Sequence, residues 1–249
     1  MTIRTSKFLP GVPENRILTL LASAGGNEIE SGKLESPESS AALAVNAFGW
    51  FLDRPADLPP FPPLADIDWP ATRVDVERQM RFPWSGGRHP WLDAAVETAA
   101  HIVAVESKRF EPYRDAKTVS LSEAYDRDVW GVRMAPFTAM RDALRSGSTR
   151  FEYLDAAQLV KHAFGLVTEG RRLGKATVLL YLYAEPVQRG SIPISEVTLR
   201  RHRAEIDAFA AAVAGAEVRF ASLSWREWLA VWTGYASNHA LAVMKAFRP

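Results

Sequence analysis

Residues 91–112, WLDAAVETAAHIVAVESKRFEP, decide how this chain is read. His101 to Glu106 is a short apolar run with Ile and Val, followed by Lys108-Arg109 and closed by Pro112. Its length and β-branched content favour a buried strand over a helix. With a period of two, Ile102, Ala104, Glu106 and Lys108 share one face and Val103, Val105 and Ser107 the other. A carboxylate and an ammonium therefore leave the same face. Trp91 to Thr98 predicts a second strand, joined to the first through Ala99 and Ala100. Unbroken alternation sets Trp91, Asp93, Ala95 and Glu97 opposite Leu92, Ala94 and Val96. Antiparallel closure near Ala99 and Ala100 brings Asp93 roughly opposite Glu106, where side chains can touch.

Two carboxylates with a backbone carbonyl and water suit Mg²⁺, a hard ion that prefers oxygen ligands, and Mn²⁺ is expected to substitute. Phosphodiester hydrolysis needs an activated water and a counter-charge for the crowded phosphate, which metal and ammonium supply together. On this reading Asp93, Glu106 and the Ser107 carbonyl hold the metal. Lys108 orients the water or stabilises the phosphate. The structural alternative is a hairpin end carrying a solvated Glu–Lys pair, which contributes little to stability.

An Asp followed after twelve residues by Glu-Ser-Lys across two strands resembles the PD-(D/E)XK nuclease superfamily. More narrowly, RFPWSGGRHPWLDA, VESKRFEPYRD and YLDAAQLVKHAFGL are similar to a restriction-endonuclease-like family typified by a Porphyromonas protein. The similarity covers residues 35–186, and the superfamily's proline stands three places ahead of Asp93, as Pro90. The resemblance implies an α/β fold with a restriction-endonuclease-like core: helix, three-stranded antiparallel meander, helix, strand. It further implies a DNA endonuclease, with Glu38 as an extra acid from the first helix, Glu35 behind it, and Gln158 near the phosphate. It also allows a homodimer. A second acid-x-Lys, Asp115-Ala116-Lys117, lies past Pro112 with no apolar strand leading into it and is set aside. Only seven lysines stand against twenty-three arginines, so a lysine at the family's position carries weight.

Composition sets the bounds. The chain has 249 residues, 47% of them hydrophobic and 24% charged, which suits one soluble domain. A net charge of +1 means that DNA contacts must come from local patches. There is no cysteine, which removes thiolate nucleophiles, disulfides and cysteine-ligated zinc. With neither a signal core nor an apolar run of membrane length, the expectation is a cytoplasmic protein without membrane contact.

In chain order, residues 1–34 read as a loosely structured arm, with a short element at Ile17–Ala22 and a turn at Gly25-Gly26. The core spans 35–186, and 187–249 form a C-terminal α/β extension packed on it. Ser36 as N-cap and Pro37 at the first position predict a helix with the stripe Ala42, Val45, Gly49 and Leu52. Leu58–Pro63, LPPFPP, is a connector. Residues 71–82 predict the first strand; Glu77 stays open there as a further ligand, although alternation on an edge face explains it more cheaply. The loop PWSGGRHP offers Arg88 and His89 to a DNA backbone, or is a plain turn. Residues 137–144 predict an amphipathic helix in a segment of irregular pattern. Residues 151–167 predict a longer helix on which Gln158, Lys161 and His162 lie within one turn, with Gln158 and Lys161 as phosphate contacts. Residues 170–175 then link to a central strand at 176–184. Beyond it, helices are expected at 195–214 and 224–234 and a strand at 217–223. Trp225, Trp228 and Trp232 read as a core stripe rather than a base-stacking platform.

Other chemistries find no support. The five histidines lack paired zinc-ligand spacing, and neither a G-x-S-x-G elbow nor a dinucleotide fingerprint occurs. The alternative function is a catalytically silent protein of the same fold that binds nucleic acid or a protein partner.

Overall fold

Strands β1 (Arg73–Gln79), β2 (Trp91–Glu97) and β3 (His101–Lys108) pair antiparallel in sequence order. The computed structural model describes residues 7–24, 29–114 and 116–249. The Gly25-Gly26 turn, and Asp115 of the second acid-x-Lys, lie outside these residues. No turn dipeptide closes the β2–β3 hairpin; Asp68 does so from outside it. Its carboxylate accepts from Thr98 Oγ1 and from the Ala100 amide, both at 2.6 Å, and pairs with His101. These bonds hold the Asp68 carboxyl below the ordinary range, Thr98 contributing most.

Two further strands complete the sheet. β4 (Ala176–Tyr183) runs parallel to β3, and β7 (Val218–Ser224) runs parallel to β4, giving the order β1-β2-β3-β4-β7. Parallel central strands are covered on both faces. One face buries Val103, Val105, Val178 and Leu180 beneath helices α1 (Glu14–Ser23), α2 (Ser40–Gly49), α7 (Trp225–Ala230) and α8 (Gly234–Phe247). The other buries Ile102, Ala104, Leu179 and Tyr181 beneath α4 (Ala135–Ser146), α5 (Ala156–Leu173) and α6 (Glu196–Ala212). Each such aliphatic side chain contributes about 1.5–3 kcal/mol on burial. The remaining short elements are α3 (Glu111–Arg114) and the hairpin of β5 (Gln188–Arg189) and β6 (Ile192–Pro193). Among the described residues, no helix is long and apolar enough to cross a membrane.

Several elements differ from the sequence-based expectation. The segment read as a loose arm holds α1, with Ile17 and Leu21 buried in the core. α2 is capped not by Ser36 but by Ser39, whose side chain accepts from the Ala42 amide at 3.0 Å. Ser36 Oγ instead accepts from the Glu38 amide at 3.2 Å, so Glu38 sits in the turn before the helix. α5 starts at Ala156 rather than at 151, because Asp155 caps it and Glu205 takes the amides of Glu152, Tyr153 and Leu154. It also runs through Gly170 to Leu173; a Cβ at Gly170 would stand 2.1 Å from Thr177 Cγ2, so glycine permits close packing on β4. The residues read as an extension supply β7 to the central sheet and α7 and α8 to one layer. Trp225, Trp228 and Trp232 are buried there as core.

Candidate active site

The hydrogen-bonded register of β2 and β3 runs from Glu97–Ile102 to Ala94–Val105. Beyond its last pair, Asp93 and Glu106 face the open end of the hairpin. Asp93 Oδ2 accepts from the Ser107 amide at 2.6 Å. In an extended strand the N–H and C=O of one residue leave on the same side, so the Ser107 carbonyl is aimed toward that edge as well. Glu106 is buried, with Oε1 2.5 Å from Lys108 Nζ and Oε2 3.1 Å from His162 Nδ1. The latter is within ion-pair reach but off the line of a hydrogen bond.

Strand irregularity shapes this edge. Leu92 packs with Ala95 on the α5 face while Ala94 and Val96 pack on the other, so alternation breaks at Asp93. The β1–β2 register passes from Val76–Ala94 to Arg78–Leu92, leaving out Glu77 and Asp93. Glu77 has φ 51°, a left-handed conformation that costs a non-glycine residue about 1–3 kcal/mol and that clusters at functional sites.

A cavity of about 350 Å³ opens here, lined by Glu38, Glu77, Asp93, Glu106, Lys108 and Gln158 among others. Five sequence-selected residues, Glu38, Asp93, Glu106, Lys108 and Gln158, thus meet around one space. Arg88, His89 and Lys161 instead line an adjoining cleft of about 620 Å³ that shares Trp91 and Gln158 with the cavity. Arg88 and Lys161 have no protein partner among the described residues. His89 Nδ1 accepts from the Phe82 amide at 3.0 Å, which fixes its proton on Nε2. Glu38 accepts from Arg189 at 2.9 Å and from Arg114 at 3.2 Å, so both its oxygens carry guanidinium groups. Glu35 points elsewhere, toward Lys7.

Sequence reading gave His162 and Glu111 no role at the site and left a ligand role for Glu77 open. His162 and Gln158 are four apart on α5, so they share a face; a histidine on a face otherwise made of Leu159, Ala163 and Leu166 was the available signal. Glu77 was visible as an acid on β1, but nothing in the sequence announces its backbone. Glu111 follows Lys108 closely and is fixed by Ser40 Oγ at 2.6 Å and by the Arg109 amide at 2.9 Å.

Electrostatics separates the two central carboxyls. Asp93 keeps a partly open surface toward the cavity although protein atoms crowd it. That burial, followed by the Glu106 carboxylate, pushes it well above the ordinary carboxylate range. Burial also works against the charge on Glu106, but Lys108 and His162 outweigh it and hold Glu106 low. The same contest leaves Lys108 raised, with Glu106 and Asp93 overcoming burial. Two carboxyls set side by side push one of the pair toward its protonated form, and here that one is Asp93. Their hard oxygens, with the Ser107 carbonyl, fit Mg²⁺ or Mn²⁺. Among the described residues, no three His, Asp or Glu side chains gather at metal-ligand spacing, so a cation here would rest on two carboxylates, a carbonyl and water.

No curated protein and no solved structure matches this chain. A family of restriction-endonuclease-associated proteins does, which points to a nuclease-like function. Over residues 17–244, nearly its whole length, the chain belongs to the family described as Restriction Endonuclease associating with ARP.

Proposed function

We propose that the chain is a Mg²⁺-dependent endonuclease of the PD-(D/E)XK type that hydrolyses phosphodiester bonds in DNA. The observation that carries this reading is the meeting of Asp93, Glu106 and Lys108 at one open strand edge, with Asp93 bonded to the Ser107 amide between the other two. Asp93, Glu106 and the Ser107 carbonyl would hold the cation. Once bound, it would supply Lewis acidity and a more acidic water. Lys108 stays charged and lies where an ammonium orients the attacking water or meets charge developing on the phosphate. His162 steadies the second oxygen of Glu106. Arg88 and Lys161 place the flanking phosphates, and Gln158 sits where cleft and cavity join. Glu38 could reach a cation only by releasing Arg114 or Arg189, so we assign it to the rim, where it holds those two arginines.

Supercoiled plasmid incubated in Mg²⁺ and in EDTA, with Lys108→Ala alongside, tests the proposal. Cutting in Mg²⁺ alone, lost in the variant, supports it; equal nicking by both proteins refutes it.

A further inference from the structure

The cavity does not end at Gln158. It shares Lys108, Glu111 and Gln158 with a slot of about 170 Å³. That slot in turn shares Lys117, Thr118 and Asp155 with a chamber of about 420 Å³. Cavity, slot and chamber thus share walls in series, and a passage along them would leave the strand edge, run between the end of β3 and the start of α5, and widen beside the end of α4.

The walls of this passage have a consistent chemistry. Tyr153 and Tyr181 face the slot. The chamber has a floor of buried Leu144, Leu154 and Ala157, with half-buried Phe151 beside it. At its rim Arg150 is exposed and has no protein partner among the described residues. The wall is built before any ligand arrives. Glu205 holds the amides of Glu152, Tyr153 and Leu154 at 2.7–2.8 Å, and Phe151 rests edge-on against Phe209 at 6.2 Å. An apolar floor with an aromatic ring under a free guanidinium matches an unstacked base and its phosphate.

We infer that the passage takes a single DNA strand beside the scissile phosphate and lodges an unstacked base in the chamber against Phe151, with a phosphate at Arg150. This rests on the nuclease reading for the polymer, and it deepens that reading by naming the substrate class: DNA with an unpaired segment next to the cut. Adjacency to the Asp93–Glu106 cavity and the rim charge favour this occupant over a free apolar ligand.

The test uses the full chain in Ca²⁺ and two fluorescein-labelled DNAs of one sequence, one fully paired and one forked, with affinity read by anisotropy. The forked DNA is expected to bind about tenfold more tightly, within what one base–aromatic stack contributes. Phe151→Ala removes the ring. Thr149→Trp fills the chamber from its half-buried lip and serves should the first variant lose its fold. Each is expected to bring the preference close to parity. Equal affinity for the two DNAs, or a preference kept in a folded variant, overturns the inference. Cutting of the same DNAs in Mg²⁺ is scored separately. A forked preference without cutting would sink the nuclease and leave the strand path; cutting without preference would sink the path and leave the nuclease.

Discussion

Asp93 Oδ2 and the amide of Ser107 lie 2.6 Å apart across the open end of the β2–β3 hairpin. That bond fixes the first carboxyl beside the second although burial and Glu106 both oppose its charge. An Asp whose folded pKa lies above its unfolded value stabilises the fold only while it keeps its proton, and it loses that contribution as pH rises. Ionising Asp93 beside Glu106 therefore costs the fold stability as pH rises.

Asp93→Asn should consequently be more stable than the parent. Its amide oxygen still accepts from Ser107, while the repulsion with Glu106 is gone. A Tm higher by about 2–4 °C, what about 1 kcal/mol shifts a chain of this length, is expected at pH 7 without metal. Differential scanning calorimetry in EDTA checks this; a fall in Tm would show that the pair is not in conflict.

Lys108 is the opposite case. Removing one partner of a buried ion pair leaves the other uncompensated, at about 3–5 kcal/mol. Lys108→Ala should lose about 3 kcal/mol in urea unfolding, and adding Glu106→Gln should restore most of it. Additive losses in this double-mutant cycle would mean that the 2.5 Å contact contributes nothing.

His202 makes stability depend on pH away from the site. Tyr113 donates to the Ala184 carbonyl, so it accepts from His202 Nδ1, while Tyr181 donates to Nε2. Burial, with Lys117 and Arg203 nearby, holds this imidazole neutral down to about 3. The unfolded chain takes up that proton first, near pH 6.5. Stability is therefore complete above that pH and falls as the pH drops toward 3, by up to about 1.4 kcal/mol per unit. Urea midpoints at pH 7 and pH 5 should differ accordingly, and His202→Gln should flatten the difference.

Glu205 organises the wall beneath the strand passage through three backbone amides. Glu205→Ala should cost about 1.5–3 kcal/mol, since three backbone donors, two of them part-buried, lose a charged acceptor. Hydrogen exchange at residues 152–154 should quicken more than at β4. Unchanged protection there would show that the loop is held by other contacts.

The legible parts of this molecule were those with a period. Ile102, Val103 and Val105 announce a buried strand, and a hairpin register then brings Asp93 to Glu106 without further information. Ser39 and Ser36 show where local pattern falls short: both can cap, and only packing of the α2 stripe chooses between them. The start of α5 escaped because Glu205, fifty residues downstream, claims the amides that would otherwise begin the helix. Gln158, Lys161 and His162 read as neighbours on one turn, but nothing local to the helix pairs His162 with Glu106 on β3. The left-handed backbone of Glu77, the two-residue strands β5 and β6, and the helix α8 behind its glycine carry no period to read.

The central claim is that Asp93 and Glu106 share one divalent cation at that strand edge. Isothermal titration of Mg²⁺ or Mn²⁺ into the parent and into Asp93→Asn, paired with plasmid cleavage by the same samples, addresses it most directly. Binding and cutting by the parent, both lost in a variant that melts no lower, is the predicted result. Metal-dependent cutting that survives the loss of the Asp93 charge would contradict the account.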